Sequence, residues 1–507
     1  MKAHLLFPDR DLDLSQQGMP LGEVLWQDLA LSTLVETMAA GDRLVAEVAG
    51  KVLLQSQLDL AVIAYRQAVL QDCVQQEQVI RQIYDLTVTT LEEARKNFYY
   101  AAFRTPASTL NAAVSVLQLL FETLRRLRVI VDDNSAFFHS DGVRTLFAML
   151  QAELADGYFD IIRRHLRQLR FSHGVLVSAR LGRGNKAVGY VLREENPPQG
   201  NWVERIFTPS APSYAFQLPD RDEAGARALS ELRDKGLALV ATATAQSTDH
   251  ILSFLSMLKS EIAFYIGCLN LRHRLQAIGQ PVCYPVPAPL SARQRHAEGL
   301  YDVCLALRMS AGVTGNALDA DGKDLVVITG ANQGGKSTLL RSIGLAQVMM
   351  QCGMFVPARQ FTANLCVRLF THYKREEDAS MSSGKFDEEL LRMNQIADHL
   401  LPDSLVLFNE PFAATNEREG AEVGRQITEA LLARRVAVVI VTHQYDYAQG
   451  FAAQHRAATL FLRAERRDDG SRSFRILPGE PLRTSFGEDL YRRVFGEAAR
   501  PEPVAAC

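Results

Sequence analysis

The sequence predicts an α/β domain built on a parallel sheet in residues 291–507, preceded by a mainly α-helical region that carries a small β-containing insertion. Three observations predict it. A glycine-rich loop, Gly330-Ala-Asn-Gln-Gly-Gly-Lys-Ser337, joins a short β-branched run to a helical stretch. Three apolar runs, 325–329, 405–408 and 436–441, alternate with helical stretches, the mark of parallel strands covered on both faces. Residues from about 22 to 170 carry helical periodicity with few breakers.

Taken in order, the helical region offers its clearest start at Thr105-Pro106, a cap followed by a first-turn proline. Leu110, Val114, Leu117, Phe121, Leu124 and Arg128 then recur at three- and four-residue steps, an amphipathic stripe. From Gly174 to about Val240, glycines, Asn196-Pro-Pro and the run Val188-Gly-Tyr-Val-Leu predict a strand-and-loop insertion. Helical spacing returns from Asp249, where Leu255, Leu258, Ile262, Tyr265 and Leu269 form nearly a heptad seam with Arg272 next in line. Such a seam suits a plain buried helix or a long helix packed on a neighbour as a lever. The proline-dense stretch 280–289 is the expected domain boundary. Three regions follow: an N-terminal helical region 1–100, a helical core and lever 101–290, and the α/β domain 291–507.

Composition bounds the function classes. At 507 residues the chain exceeds one ordinary core. Apolar residues at 47% and charged residues at 22% exclude a disordered protein. The net charge of −3 advertises no overall basic field for nucleic acid, although a local basic surface is compatible with it. The seven cysteines are scattered with no C-x-x-C pair, which predicts neither a zinc site nor a disulfide framework and suits a reducing compartment. The early Pro8 and the charges after it break any signal-peptide core, and no uninterrupted apolar stretch reaches membrane-spanning length. A cytoplasmic protein without a membrane partner is expected.

The sharpest chemistry lies at 330–338, a full G-x-x-x-x-G-K-[ST] match between strand 325–329 and helix 338–350. Gly330, Gly334 and Gly335 let the backbone turn its amides, with those of Ala331, Asn332 and Gln333, around phosphate oxygens. The helix opening at Thr338 adds its N-terminal dipole. Lys336 would reach the β- and γ-phosphates of ATP, and Ser337 would offer its hydroxyl to Mg²⁺. A second strand ends in Asn409-Glu410, where an acid ordinarily orients Mg²⁺ and a following glutamate activates water. Glu410 is present, but Asn409 brings no charge. The missing charge weakens Mg²⁺ binding by on the order of a few kcal/mol at an effective dielectric of ~20, unless Asp387, Glu388 or Glu389 compensates. A third strand ends in Thr442-His443, and His443 there can hydrogen-bond a γ-phosphate.

Together these residues resemble the MutS family within the ABC-type ATPases. Thr329-Gly-Ala-Asn-Gln-Gly-Gly-Lys-Ser-Thr resembles that family's phosphate loop, with Asn332 and the doubled glycine distinctive. Gly353-Met-Phe-Val-Pro-Ala358 is similar to the segment after its first ATPase helix. Ser404-Leu-Val-Leu-Phe-Asn-Glu with Thr415-Asn416 is similar to its second nucleotide motif, Thr442-His443 to its switch histidine, and Thr484-Ser-Phe-Gly487 to its closing helix-turn-helix. The resemblance covers about 316–496 well and thins back to about residue 100. It implies an α/β P-loop NTPase domain of ABC type, a helical core and lever, ATP and Mg²⁺ as cofactors, a homodimer and DNA as partner. Glu410, His443 and Lys336 would then be the catalytic residues.

The chain departs from the family in two places. Relatives that recognise mismatches carry a Phe-x-Glu wedge, and residues 1–100 hold no counterpart, since Phe98-Tyr-Tyr lacks the glutamate. The signature loop, which in ABC-type ATPases reaches the partner's γ-phosphate, normally has a Ser-Thr-Phe step. Here it reads Ser380-Met-Ser-Ser-Gly-Lys-Phe386, so Lys385, with Ser382, Ser383 and Gly384, is the candidate for that reach or else a solvated helix start. Arg163, Arg167 and Arg170 are expected on one helix face as DNA phosphate contacts or a plain solvated face. The function expected is ATP-gated dimer closure acting on DNA, in mismatch repair or related DNA-structure binding. The alternative is a nucleotide-gated scaffold for other proteins that never touches DNA. A transporter subunit is disfavoured, for want of an apolar span to couple to.

Overall fold

The computed structural model describes residues 1–99, 105–171, 174–193, 217–219, 221–374, 384–467 and 472–482. It divides into two compact units. One comprises 1–3, 78–138 and 144–259; the other comprises 4–77, 139–143 and 260–507.

The first unit is helical. Thr105 accepts from the Ser108 amide while the Ser108 hydroxyl accepts from the Thr105 amide, a reciprocal cap that starts the helix Pro106–Asn134 at its expected residue. The stripe expected on this helix is buried at Leu110, Val114, Phe121 and Leu124. Phe121 meets Phe159 of the helix Asp156–Gln168 edge to face, with centroids 5.4 Å apart. The insertion is an antiparallel pair, β1 (Val177–Leu181) and β2 (Ala187–Leu192). Helix resumes at Glu223, earlier than Asp249, and runs to Ala277 as one element. Ala, Leu, Arg and Glu dominate 223–240, and their helix propensity outweighs Gly225 and Gly236. Gly236 itself lets the helix come close, because a Cβ there would stand 2.6 Å from Val177 of β1.

The second unit holds the sheets. β6 (Leu325–Gly330), β8 (Leu369–Tyr373), β9 (Leu405–Asn409), β10 (Ala437–Val441), β11 (Thr459–Arg466) and β12 (Arg472–Pro478) form a six-stranded sheet in the order β12-β11-β6-β10-β9-β8. All neighbours run parallel except β12 against β11. Val327, Leu407 and Val439 at the centres of the middle strands are fully buried, as uninterrupted apolar runs demand. The three runs expected as strands are β6, β9 and β10, side by side. A smaller sheet, in the order β3-β7-β4-β5, is built from β3 (Val286–Ala288), β4 (Arg295–Leu300), β5 (Asn316–Asp319) and β7 (Gln360–Asn364).

Two expectations about organisation meet a different arrangement. Residues 280–289 are not a linker between separate bodies: Cys283 bridges Val356 and β3 pairs with β7, so the prolines occupy a sheet edge where a missing N–H costs little. The helices Gly22–Asp28, Leu31–Ala39, Arg43–Leu53 and Leu60–Gln75 belong to the same unit as the sheets. Buried Arg66 shows how: its Nε donates to the Leu6 carbonyl at 2.9 Å and its Nη1 to that of Cys352 at 3.3 Å. By length and composition alone, Pro106–Phe137 and Glu223–Ala277 would suffice to cross a membrane. Their most apolar windows are 44% and 61% buried inside the protein, as core helices are.

Candidate functional site

The glycine-rich loop leaves β6 at Gly330 and enters the helix Lys336–Gln351, which begins earlier than the 338–350 expected. Gly330 and Gly335 have φ of 104° and 92°, in the region that side chains disfavour. Gly334 is required for space: a Cβ there would stand 2.6 Å from Ala464 Cβ and 2.9 Å from the Ala331 carbonyl. Gln333 also has positive φ, at 58°, so Gln333 and Gly335 give the loop its curl. Lys336 is 5% exposed and folds back over the loop, with Nζ donating to the carbonyls of Gly330 at 2.9 Å and Ala331 at 3.1 Å. Burial lowers its pKa, and the nearby Glu410 carboxylate works against that shift.

Strand register brings the other residues to the same edge. Val441 stands beside Ile328 on one side and Asn409 on the other, so β9 and β10 end level at the carboxyl edge and β6 runs two residues farther, to Gly330. Ser337 Oγ donates to Asn409 Oδ1 at 2.8 Å. Glu410 turns out of β9 with φ 51°, held by its amide donating to the Val441 carbonyl at 2.8 Å. Its carboxylate lies 3.4 Å from His443 Nδ1. The His443 hydrogen bond lowers the Glu410 pKa against the opposing effect of burial, so the group stays ionised. Thr415 and Asn416, the continuation of that motif, cap the helix Glu417–Ala433, with Asn416 accepting from the Glu419 amide.

A cavity of about 490 Å³ sits over the loop, lined by 332–338, Glu410, Leu305, Met309, Asn316 and Phe474. Sequence reasoning missed the last four, and no local signal marks them. Asn316 lies on β5 and Phe474 on β12, and they meet only in the fold, where Asn316 Nδ2 donates to the Phe474 carbonyl at 3.2 Å. Met309 and Phe474 are 58% and 51% exposed, large apolar side chains facing solvent beside a polar loop. The donor set suits a phosphorylated ligand: loop amides, a lysine whose acceptors among the described residues are its own loop carbonyls, and glycines that leave the cradle open. Ser337 and Asn409 form an oxygen pair able to face a hard cation, and Glu410 is the one acid among the described residues that line the cavity.

The remaining candidates lie elsewhere. Gly384 caps the helix Lys385–His399, and Lys385 lines a separate cavity with Lys374, Glu388, Glu389 and Arg392. Glu388 and Glu389 line that cavity rather than the one over the loop, and Glu389 is buried with its pKa raised by that burial. Asp387, in the first turn of that helix, does not line the loop cavity. Ser382 and Ser383 fall outside the described residues, as does the Thr484–Gly487 motif. Arg163 and Arg167 are exposed on the helix Asp156–Gln168, where Arg163 pairs with Asp160 at 3.0 Å. Arg170 is not on that helix, which stops at Gln168, so the three arginines do not share one helical face.

The chain matches the family model of the MutS2 N-terminal domain over residues 58–278 and that of MutS domain V over 326–494. The first reaches well ahead of residue 100, where the likeness read from motifs thinned. The "DNA mismatch repair protein MutS" of a Synechococcus strain is 37% identical over 129 residues, 25% of this chain and 15% of that protein. "MutS protein homolog 4" of Mus musculus is 29% identical over 146 residues, 29% of this chain and 15% of the relative. "Endonuclease MutS2" of Carboxydothermus hydrogenoformans is 34% identical over 126 residues, 25% of this chain and 16% of the relative. The match thus takes in about a sixth of the length of these relatives. With a MutS2-type helical segment and a MutS domain V following each other along one sequence, the chain belongs to the MutS family.

Proposed function

We propose that this protein binds ATP with Mg²⁺ at the 330–338 loop, hydrolyses it, and uses the cycle to change its hold on DNA as a homodimer. The observation that carries the reading is the shared carboxyl edge of the neighbouring strands β6, β10 and β9. It gathers the loop, Ser337 with Asn409, and Glu410 with His443 around one cavity. Loop amides and Lys336 hold the phosphates, Lys336 exchanging its loop carbonyls for phosphate oxygens. Ser337 and Asn409 hold Mg²⁺, which supplies charge neutralisation for the phosphates. Met309 and Phe474 give the base an apolar wall. Glu410, ionised and oriented by His443, takes a proton from the attacking water. Lys385, at the start of the helix Lys385–His399, is the group proposed to reach the partner's nucleotide.

DNA as the partner is supported by family membership and by the exposed Arg163 and Arg167. ATP turnover measured with linear, nicked, mismatched and branched DNA tests this reading, with Glu410→Gln as the companion variant. The expected result is turnover stimulated by at least one DNA form and lowered about 10²–10⁴-fold by Glu410→Gln with ATP binding retained. Turnover indifferent to every DNA form would favour the DNA-free scaffold. Normal turnover by Glu410→Gln would remove Glu410 from its role.

A further inference from the structure

A larger cavity, of about 990 Å³, opens at the other edge of the main sheet, where Leu325, Leu405 and Ala437 begin β6, β9 and β10. Arg295, the first residue of β4, lines it and is 5% exposed. Among the described residues its guanidinium has no ion pair, and its buried Nε has no hydrogen-bond acceptor. The other charges nearby are mostly spent. Arg435 pairs with Asp403 at 3.0 Å, Asp324 with Arg456 at 3.2 Å, and Lys323 donates to the Ala457 carbonyl at 2.5 Å. Among the described residues two further buried groups on the same wall lack hydrogen-bond partners, Ser404 Oγ and the Oδ1 of Asp324. Exposed Arg293 stands at the rim.

A buried, unpaired guanidinium is strongly disfavoured unless a ligand completes it, and its planar fork matches the oxygens of an oxyanion. Arg295 with Arg293 suits a doubly charged head group better than a carboxylate. Asp324 Oδ1 requires a donor, which a hydroxyl supplies, and Ser404 Oγ can serve either group. Leu58, Leu290 and Leu432 leave room for a carbon skeleton beside the charge. We propose that this cavity is a second ligand site, separate from the 330–338 loop, that takes a small hydroxylated phosphate monoester with its phosphate on Arg295 and a hydroxyl on Asp324.

The test titrates ribose 5-phosphate, with neutral ribose as control, into the full chain by calorimetry at constant ionic strength. Arg295→Met and Lys336→Ala are compared with wild type. Saturable binding is expected in wild type and Lys336→Ala, at least about tenfold weaker in Arg295→Met, as loss of a charged, bidentate contact implies. In phosphate-free buffer Arg295→Met should melt at or above wild type, because it removes an uncompensated charge, and ribose 5-phosphate should raise the Tm of wild type and Lys336→Ala but not of Arg295→Met. If Arg295→Met does not fold, the exposed Arg293→Met carries the test with a smaller loss of about threefold. The proposal is overturned by no saturable binding to wild type, by equal affinity in the arginine variant, by ribose binding as tightly, or by binding lost in Lys336→Ala alone. The last result would move the ligand to the nucleotide loop, and a failure of ATP binding there leaves this site standing.

Discussion

Asn409 is the residue at which the site departs from the charge pattern its chemistry asks for. Its Oδ1 takes the Ser337 hydroxyl at 2.8 Å, an oxygen pair that in the proposed site would face Mg²⁺ without the negative charge of an acid. Glu410 is the acid left at the cavity, and it is engaged with His443. Asn409→Asp should therefore lower the Mg²⁺ concentration for half-maximal turnover by roughly tenfold or more, from one added charge within a few ångströms of the cation. A Mg²⁺ dependence unchanged by the substitution would show that Asn409 does not face the metal. At this scale the sequence was informative wherever a motif fixes spacing. Lys336, Ser337, Glu410 and His443 were all legible from strand ends and one loop. Asn316, Met309 and Phe474 were not, because each comes from an edge strand or short helix whose contribution to the cavity exists only after non-local pairing.

Elements show the same division between local and long-range information. The helix at Pro106 was readable because Thr105 and Ser108 cap each other within four residues. The N-terminal segment was not, because its partners are far along the chain, Arg66 at sixty positions and Glu261 at about two hundred and fifty. Glu261, fully buried, accepts from the amides of Leu5 at 2.5 Å, Leu12 at 2.7 Å and Leu6 at 3.4 Å. Burial pushes its pKa up to about 7, against those hydrogen bonds and with a further push from Asp11. The sign follows from proton counts: between its ordinary pKa of 4.5 and about 7, the folded chain binds a proton that the unfolded chain has released. This group's contribution is thus greatest at low pH and falls by up to about 1.4 kcal/mol per pH unit as pH rises through that window. Urea unfolding from pH 4.5 to 7.5 should show this fall in wild type relative to Glu261→Gln, whose stability is lower throughout for want of acceptors. Parallel pH profiles for the two proteins would remove Glu261 as the titrating group.

For the whole molecule, the order of apolar strands predicted a parallel sheet, and β6, β10 and β9 stand side by side in it. The grouping of residues 4–77 with that sheet's unit could not be read, since helical periodicity says that a face is buried but not against what. The same limit applied to 280–289, where proline density read as a linker and the chain instead forms a sheet edge. DNA binding, proposed for the assembled protein, has its test in the helical unit. Reversing Arg163 and Arg167 to glutamate should weaken DNA affinity and flatten the slope of log affinity against log salt by about one to two. An unaltered slope would place DNA elsewhere or nowhere. The proposed nucleotide cycle depends on a nucleoside triphosphate seated under main-chain amides between Gly330 and Lys336. Equilibrium binding of ATP to wild type and Lys336→Ala, with and without Mg²⁺, measures that directly. The account predicts saturable, Mg²⁺-strengthened binding by wild type and a loss of tenfold or more, about 1.4 kcal/mol at least, in the variant. Undetectable binding by wild type, or equal binding by both proteins, would contradict it.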